Sequence, residues 1–99
     1  MKTQTTGDVL RVTDIDRLSA ANSNHFKHLI RAQLTPQHQT VEVDLSAVSF
    51  VDSEGLGALA GIYRSLAEKG GRLRLLRPQP SVRHFLELVQ FHRILEIHP

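Results

Sequence analysis

The stretch that decides the fold reads Val41-Glu42-Val43-Asp44-Leu45-Ser46-Ala47-Val48-Ser49-Phe50-Val51-Asp52-Ser53-Glu54-Gly55-Leu56-Gly57-Ala58-Leu59. From Thr40 to Leu45 it alternates with period two and is rich in β-branched residues, the pattern of a strand. Val48, Phe50 and Val51 carry the apolar content on to Asp52. There the period changes, and Leu56, Leu59, Ile62/Tyr63 and Leu66 recur at helical spacing as far as Lys69. Asp52 and Ser53 are both good N-cap residues, whose oxygens accept from the first free helical N–H groups, and both are expected to cap. Glu54 puts negative charge in the first turn, where the helix dipole favours it. Gly55 and Gly57 are costly in that position, each by up to about 1 kcal/mol against alanine. Two glycines in a first turn imply that something lies close to the backbone.

Working outward, punctuation falls at Gly7, Thr35-Pro36, Gly70-Gly71 and Pro78-Gln79-Pro80. Val9, Leu10 and Val12 make a short strand. Ser19, before Ala20-Ala21-Asn22, is the expected N-cap of a first helix with Phe26, Leu29, Ile30 and Leu34 on one face. Thr35-Pro36 ends it, because a residue before proline disfavours the α region. Gly70 is a natural stop for the second helix, and Leu73, Leu75 and Leu76 form the next strand. Pro80-Ser81 opens a third helix whose apolar face is Val82, Phe85, Leu86 and Val89. Ile94, Leu95 and Ile97 make a last strand, and Lys2 to Thr6 offers an extra one at the start. Strands alternating with helices predict an α/β sheet with right-handed crossovers.

Composition narrows the function. The chain has 99 residues, enough for one domain. Hydrophobic residues are 40% and charged residues 22%, which excludes disordered and low-complexity classes. There is no cysteine, so disulfides, thiolate zinc sites and cysteine nucleophiles are out. No apolar run could span a bilayer, and Met1 to Asp8 lacks a signal peptide's apolar stretch. A cytoplasmic protein without membrane insertion is the expectation. The net charge is +2, and the basic residues are scattered apart from Arg72, Arg74 and Arg77. With one Tyr and no Trp, the basic stripe and stacking aromatics of a nucleic-acid binder are missing.

Six histidines raise a metal site. His25 and His28 share a helix face, but zinc needs three or four ligands and no third is nearby. His38, His84, His92 and His98 are dispersed, so neither metal nor cofactor is expected. No nucleophile elbow, P-loop or His-Glu-x-x-His run is present. Asp44 lies in a strand and Asp52 at a cap, where structural roles suffice for both. An enzyme is not expected. The second helix instead points to binding. With Leu56, Leu59, Tyr63 and Leu66 buried, its start and flank carry Gly57, Ala58, Ala60 and Gly61, which are nearly flat. Such a surface packs closely on the domain's own sheet or lets another protein's backbone approach. Its N-terminus would also suit a phosphate.

The run Asp52-Ser53-Glu54-Gly55-Leu56-Gly57-Ala58-Leu59 after Val43-Asp44-Leu45-Ser46-Ala47-Val48-Ser49-Phe50 resembles the signature of STAS domains, in particular the stand-alone anti-sigma factor antagonists. Leu18-Ser19-Ala20-Ala21-Asn22, Gly70-Gly71-Arg72-Leu73-Arg74-Leu75 and Pro80-Ser81-Val82 through Phe91 are similar to further family segments. The likeness runs from about Gly7 to His98, with residues 1–99 as one STAS domain. It implies a mixed sheet of four to five strands, with helices packed mainly on one face. It also implies a non-enzymatic module that works by partner switching. The unphosphorylated antagonist binds an anti-sigma factor, usually a serine kinase of the histidine-kinase-like ATPase fold. Phosphorylation on the Ser/Thr before the motif glycine then breaks the complex.

The sequence departs from the pattern where the acceptor should be. Glu54 stands before Gly55, Ser19 matches the family's Asp before the first helix, and the family's final helix has no counterpart before Pro99. Three readings of Glu54 follow: a fixed charge mimicking phosphoserine, regulation without phosphorylation, or transfer of the phosphosite to Ser53. The resemblance makes Ser19 and Glu54 regulatory positions. It makes Asp52, Ser53, Glu54, Gly55, Leu56, Gly57, Ala58 and Gly61 the partner-binding residues. The implied partner is an anti-sigma factor or histidine-kinase-like serine kinase, with a weak homodimer as a secondary expectation. The alternative is a cytoplasmic STAS subunit of a lipid-transport ABC system.

Overall fold

Lys2–Thr6 (β1) folds back on Val9–Thr13 (β2) as an antiparallel hairpin, in a computed structural model that describes all residues from Met1 to Pro99. Gly7 supplies the positive φ of 60° that lets a two-residue loop follow the strand twist. From β2 onward every pairing is parallel: β3 (Thr40–Asp44), β4 (Arg72–Leu76) and β5 (Glu96–His98) follow in spatial order β1-β2-β3-β4-β5. The crossovers carry α1 (Ser23–Gln33), α2 (Ser53–Ala67) and α3 (Pro80–Leu88), with a 3₁₀ turn at Phe91–Arg93 before β5. Right-handed crossovers stepping one way across a sheet place all their helices on one face. The expected α/β architecture, a mixed sheet covered on one face, is therefore the observed one, with five strands.

The core fills the space between that face and the helices. Leu10, Val12, Val41, Val43, Leu73 and Leu75 meet Phe26 and Ile30 of α1, Leu59, Ile62 and Leu66 of α2, and Val82 and Leu86 of α3. The opposite face carries charge in register: Arg11 pairs with Glu42, Glu42 with Arg74, and Arg74 with Glu96. Arg11 Nε and Nη2 both donate to Glu42 Oε1, at 3.0 and 2.8 Å. Arg74 Nη1 donates to Glu42 Oε2 at 3.4 Å. Burial pushes the Glu42 carboxyl up, but the hydrogen bonds and charges of Arg11 and Arg74 outweigh it and hold the group below its ordinary range. Arg72 grips Glu96 with two bonds of 2.7 Å, and Arg77 reaches Asp44 at 2.5 Å. The three arginines that cluster in sequence thus each face a carboxylate.

Three local expectations are corrected. Helix α1 begins at Ser23 with Asn22 as its cap position, not after Ser19. Ser23 N donates to Ser19 O at 2.8 Å and Asn22 Oδ1 accepts from Ser19 N at 3.0 Å, so residues 19–22 form a turn of their own. The last strand starts at Glu96 rather than Ile94, because Phe91–Arg93 curls first and leaves Ile94 exposed. Val89, expected on the buried face of α3, lies past the helix end and is exposed.

Candidate functional site

The start of α2 is tied to the segment before α1. Leu18 and Val51 form a single parallel bridge. Leu18 N donates to Phe50 O at 3.0 Å, and Asp52 N donates to Leu18 O at 3.1 Å. Asp52, in extended backbone, is the N-cap: Oδ1 accepts from Gly55 N at 2.9 Å. Its other oxygen, Oδ2, accepts from Ala20 N at 3.1 Å. One carboxylate therefore caps α2 and pins the neighbouring turn. The Gly55 N–H, helped by that of Ala20, holds the Asp52 carboxyl below its ordinary range.

Gly55 is buried, and the close approach inferred from the paired glycines belongs to it alone. A Cβ there would sit 2.6 Å from the Leu18 carbonyl carbon. Gly57 differs: a Cβ at that position would meet nothing within 4 Å, and the same holds at Gly61.

The expected site residues sort by this packing. Ser53 and Glu54 are exposed in the first turn, and Gly57 is exposed one turn on. Asp52, Leu56 and Gly61 are half-buried. Gly55 and Ala58 point inward, and Ala58 is 2% exposed beside Leu59 and Ile62, so neither lies on an exposed docking face. Ser19 is also buried, with Oγ accepting from Ala21 N at 3.2 Å inside the turn. Ser53 does not cap: Asp52 does, one residue earlier, and Ser53 is the first residue of the helix.

Sequence reasoning missed Phe50. Placed between Val48 and Val51, it reads as strand interior, yet it is 55% exposed where the chain turns into α2. It lines a shallow hollow of about 150 Å³ with Ser49, Val51, Ser81, Val82 and Phe85. The available signal was its place just before the cap, where the chain has left the sheet. A second, polar hollow of about 390 Å³ lies over the charged sheet face between Gln4, Thr6, Val9, Arg11 and Glu42. No three His, Asp or Glu side chains converge as metal ligands would. No helix is long and apolar enough to cross a membrane. The start of α2 is thus held to the turn before α1 by backbone and Asp52 hydrogen bonds, with Ser53, Glu54 and Gly57 exposed on it.

The chain is similar to proteins already known. A family model described as the STAS domain matches residues 1–99. The anti-sigma F factor antagonist of Lysinibacillus sphaericus is 34% identical over 80 residues, covering 76% of this chain and 68% of that protein. The anti-sigma F factor antagonist of Paenibacillus polymyxa is 28% identical over 89 residues, covering 85% and 76%. The crystal structure of protein TM1081 from Thermotoga maritima superposes with a TM-score of 0.90 at 25% identity, covering 99% of this chain and 85% of that one.

Proposed function

We propose, from the premise that this chain belongs to the STAS domain family, that it is an anti-sigma factor antagonist, a cytoplasmic binding module without catalytic chemistry. The observation that carries the proposal is the start of α2: Ser53, Glu54 and Gly57 lie exposed on a helix whose first turn is locked by Asp52 and Gly55. The partner is an anti-sigma factor of the kinase-like ATPase fold, consistent with the antagonist names of the matched relatives.

Glu54 occupies the position before Gly55 and offers a serine kinase no hydroxyl to phosphorylate. In this reading it is a fixed negative charge in the interface, partly offset by the positive end of α2. A phosphoryl group would have added about −1.5 to −2 charge there. Glu54 supplies a smaller, permanent version of that charge. Binding is then tuned by partner availability rather than switched off. Ser53, with an exposed hydroxyl one residue earlier, is the competing acceptor.

The test is capture of partners on the immobilised chain from lysate of its source organism, with identification by mass spectrometry. Recovery of an anti-sigma factor of the kinase-like ATPase fold supports the proposal. Recovery of transporter subunits instead overturns it in favour of a lipid-transport role.

A further inference from the structure

We propose that two copies of this chain pair β1 to β1, antiparallel, and so join their sheets into one. The contact lies at the sheet edge, away from the start of α2, and is independent of the docking reading above. β1 ends the strand order β1-β2-β3-β4-β5 and has a neighbour on one side only. The two-residue Gly7-Asp8 loop makes Thr6 and Val9 a hydrogen-bonded pair. By alternation Gln4 and Lys2 also direct their backbone groups to β2. The N–H and C=O groups of Thr3 and Thr5 therefore point outward, and no turn or loop bond takes them up. Natural edges are blunted by proline, a bulge or shortness. β5, at the other end of the sheet, has three residues and is followed by Pro99. β1 has five residues in unbroken register with β2 and no proline. Thr5, on the helix side of the sheet, is exposed, so no helix overhangs the edge at its middle.

The order of residues along the edge selects a second copy as the occupant. Antiparallel pairing about Gln4 sets Gln4 against Gln4 on the two-fold axis. Thr3 then faces Thr5 of the second copy, and Lys2 faces its Thr6. The Thr3–Thr5 pair and its symmetry mate are the hydrogen-bonded ones, which uses the outward groups of both strands. Threonine pairs across strands are favourable. Lys2, the one charge on β1, is the kind of residue that keeps an edge apart unless an opposite charge receives it. Asp8 supplies that charge. It lies two positions beyond Thr6, and diagonal neighbours on paired strands are about 7–8 Å apart, within reach of a lysine side chain. Lys2 and Asp8 are both exposed, and neither belongs to any ion pair of the chain. Asp8 O accepts from Gln39 N at 2.8 Å and Thr40 N at 3.3 Å, which fixes its backbone beside the edge. Each copy thus carries an unpaired cation at one end of the edge and an unpaired anion at the other. Antiparallel pairing brings unlike ends together twice, whereas parallel pairing would bring like ends together. The contact is isologous and uses up β1 in both copies, so it closes at a dimer. The two-fold axis turns the two α2 starts to opposite ends of the joined sheet and leaves both free.

The experiment is sedimentation of the full chain from about 10 μM to about 1 mM, the range of a small, exchanging contact. Amide spectra of the ¹⁵N-labelled chain are recorded on the same samples. The expected result is a reversible monomer–dimer equilibrium in which the Thr3 and Thr5 amides shift and gain protection from exchange, while Gly57 stays unmoved. Lys2→Glu and Asp8→Lys, both at exposed positions, each weaken the dimer by about tenfold or more. Combined in one chain they restore it. Thr3→Pro removes an outward N–H, leaves the β1–β2 ladder its bonds, and abolishes the dimer. A monomer at every concentration overturns the proposal. A dimer indifferent to Lys2→Glu and Thr3→Pro, or a double charge variant that fails to restore pairing, overturns it too. Shifts confined to Leu88, Val89 and Ile94 move the contact to that exposed apolar patch and also overturn it. The docking reading fails separately, if the captured partners are transporter subunits.

Discussion

Gly55 and Leu18 meet backbone to backbone: a Cβ on Gly55 would lie 2.6 Å from the Leu18 carbonyl carbon and 2.9 Å from the Leu18 Cβ. The contact joins the start of α2 to the turn before α1 and leaves room for no other residue. Gly55→Ala must push the two segments apart, and overpacking of this kind typically costs about 1–3 kcal/mol. For a chain of this size each kcal/mol lowers Tm by about 4–8 °C. Gly57→Ala, in open space on the same helix, is expected to raise stability by about 0.5–1 kcal/mol. Thermal melts of the two variants should move in opposite directions.

Asp52 makes the same junction sensitive to acid. Its folded carboxyl is held below its ordinary range by the Gly55 and Ala20 N–H groups. A depressed folded value means the stabilisation is present above the unfolded carboxylate pKa. It is lost as pH falls through the folded one. Asp52→Ala should therefore lower Tm at neutral pH, with the gap to wild type closing as pH drops below about 4, the ordinary aspartate range. A gap independent of pH would show that the charge plays no part.

Glu42 sits between two guanidinium groups on the outer sheet face, with its side chain 11% exposed. Glu42→Gln removes the shared counter-charge and leaves Arg11 and Arg74 facing each other across one strand. Breaking such a network should cost about 2 kcal/mol, less than the 3–5 kcal/mol of a fully buried pair because Arg11 is half in water. Denaturant unfolding in low and high salt checks this: the deficit should shrink as salt screens the arginine repulsion.

The position before Gly55 separates a fixed charge from a switch. With a cognate kinase and ATP, Glu54→Ser should gain a phosphoryl group by intact mass and the wild-type chain should not. A gain on the wild type, mapped to Ser53, would replace the fixed-charge reading with a displaced phosphosite.

The sequence made some of this legible and hid the rest for physical reasons. The change of period at Asp52 marked the passage from β3 to α2, because strand and helix periods are local properties. The polar hairpin strand Lys2–Thr6 was visible as an extra element for the same reason. The face of α2 was not. A helix with Leu56, Leu59, Ile62, Tyr63 and Leu66 can turn either of two overlapping stripes inward. The contact that chooses the stripe through Gly55 and Ala58 comes from Leu18, far away in sequence. Ser19 looked like a cap because Ser favours caps. Asn22 and Ser19 spend their side chains on a turn instead, and the helix starts later. The ladder Arg11–Glu42–Arg74–Glu96 needs the register of four strands before it exists at all, so Arg72, Arg74 and Arg77 read only as a basic group. Phe50 was hidden by its apolar neighbours.

The central claim is that the exposed start of α2 is the surface an anti-sigma factor binds. Gly57→Arg tests it most directly, because the position is open and the substitution leaves the core untouched, unlike Ala58→Arg, which would drive a charge among Leu59 and Ile62. The measurement is calorimetric titration of the captured anti-sigma factor with wild type and Gly57→Arg, alongside their melts. The account predicts binding weakened by about tenfold or more, some 1.4 kcal/mol, at an unchanged Tm. Equal affinity for the two proteins would contradict it.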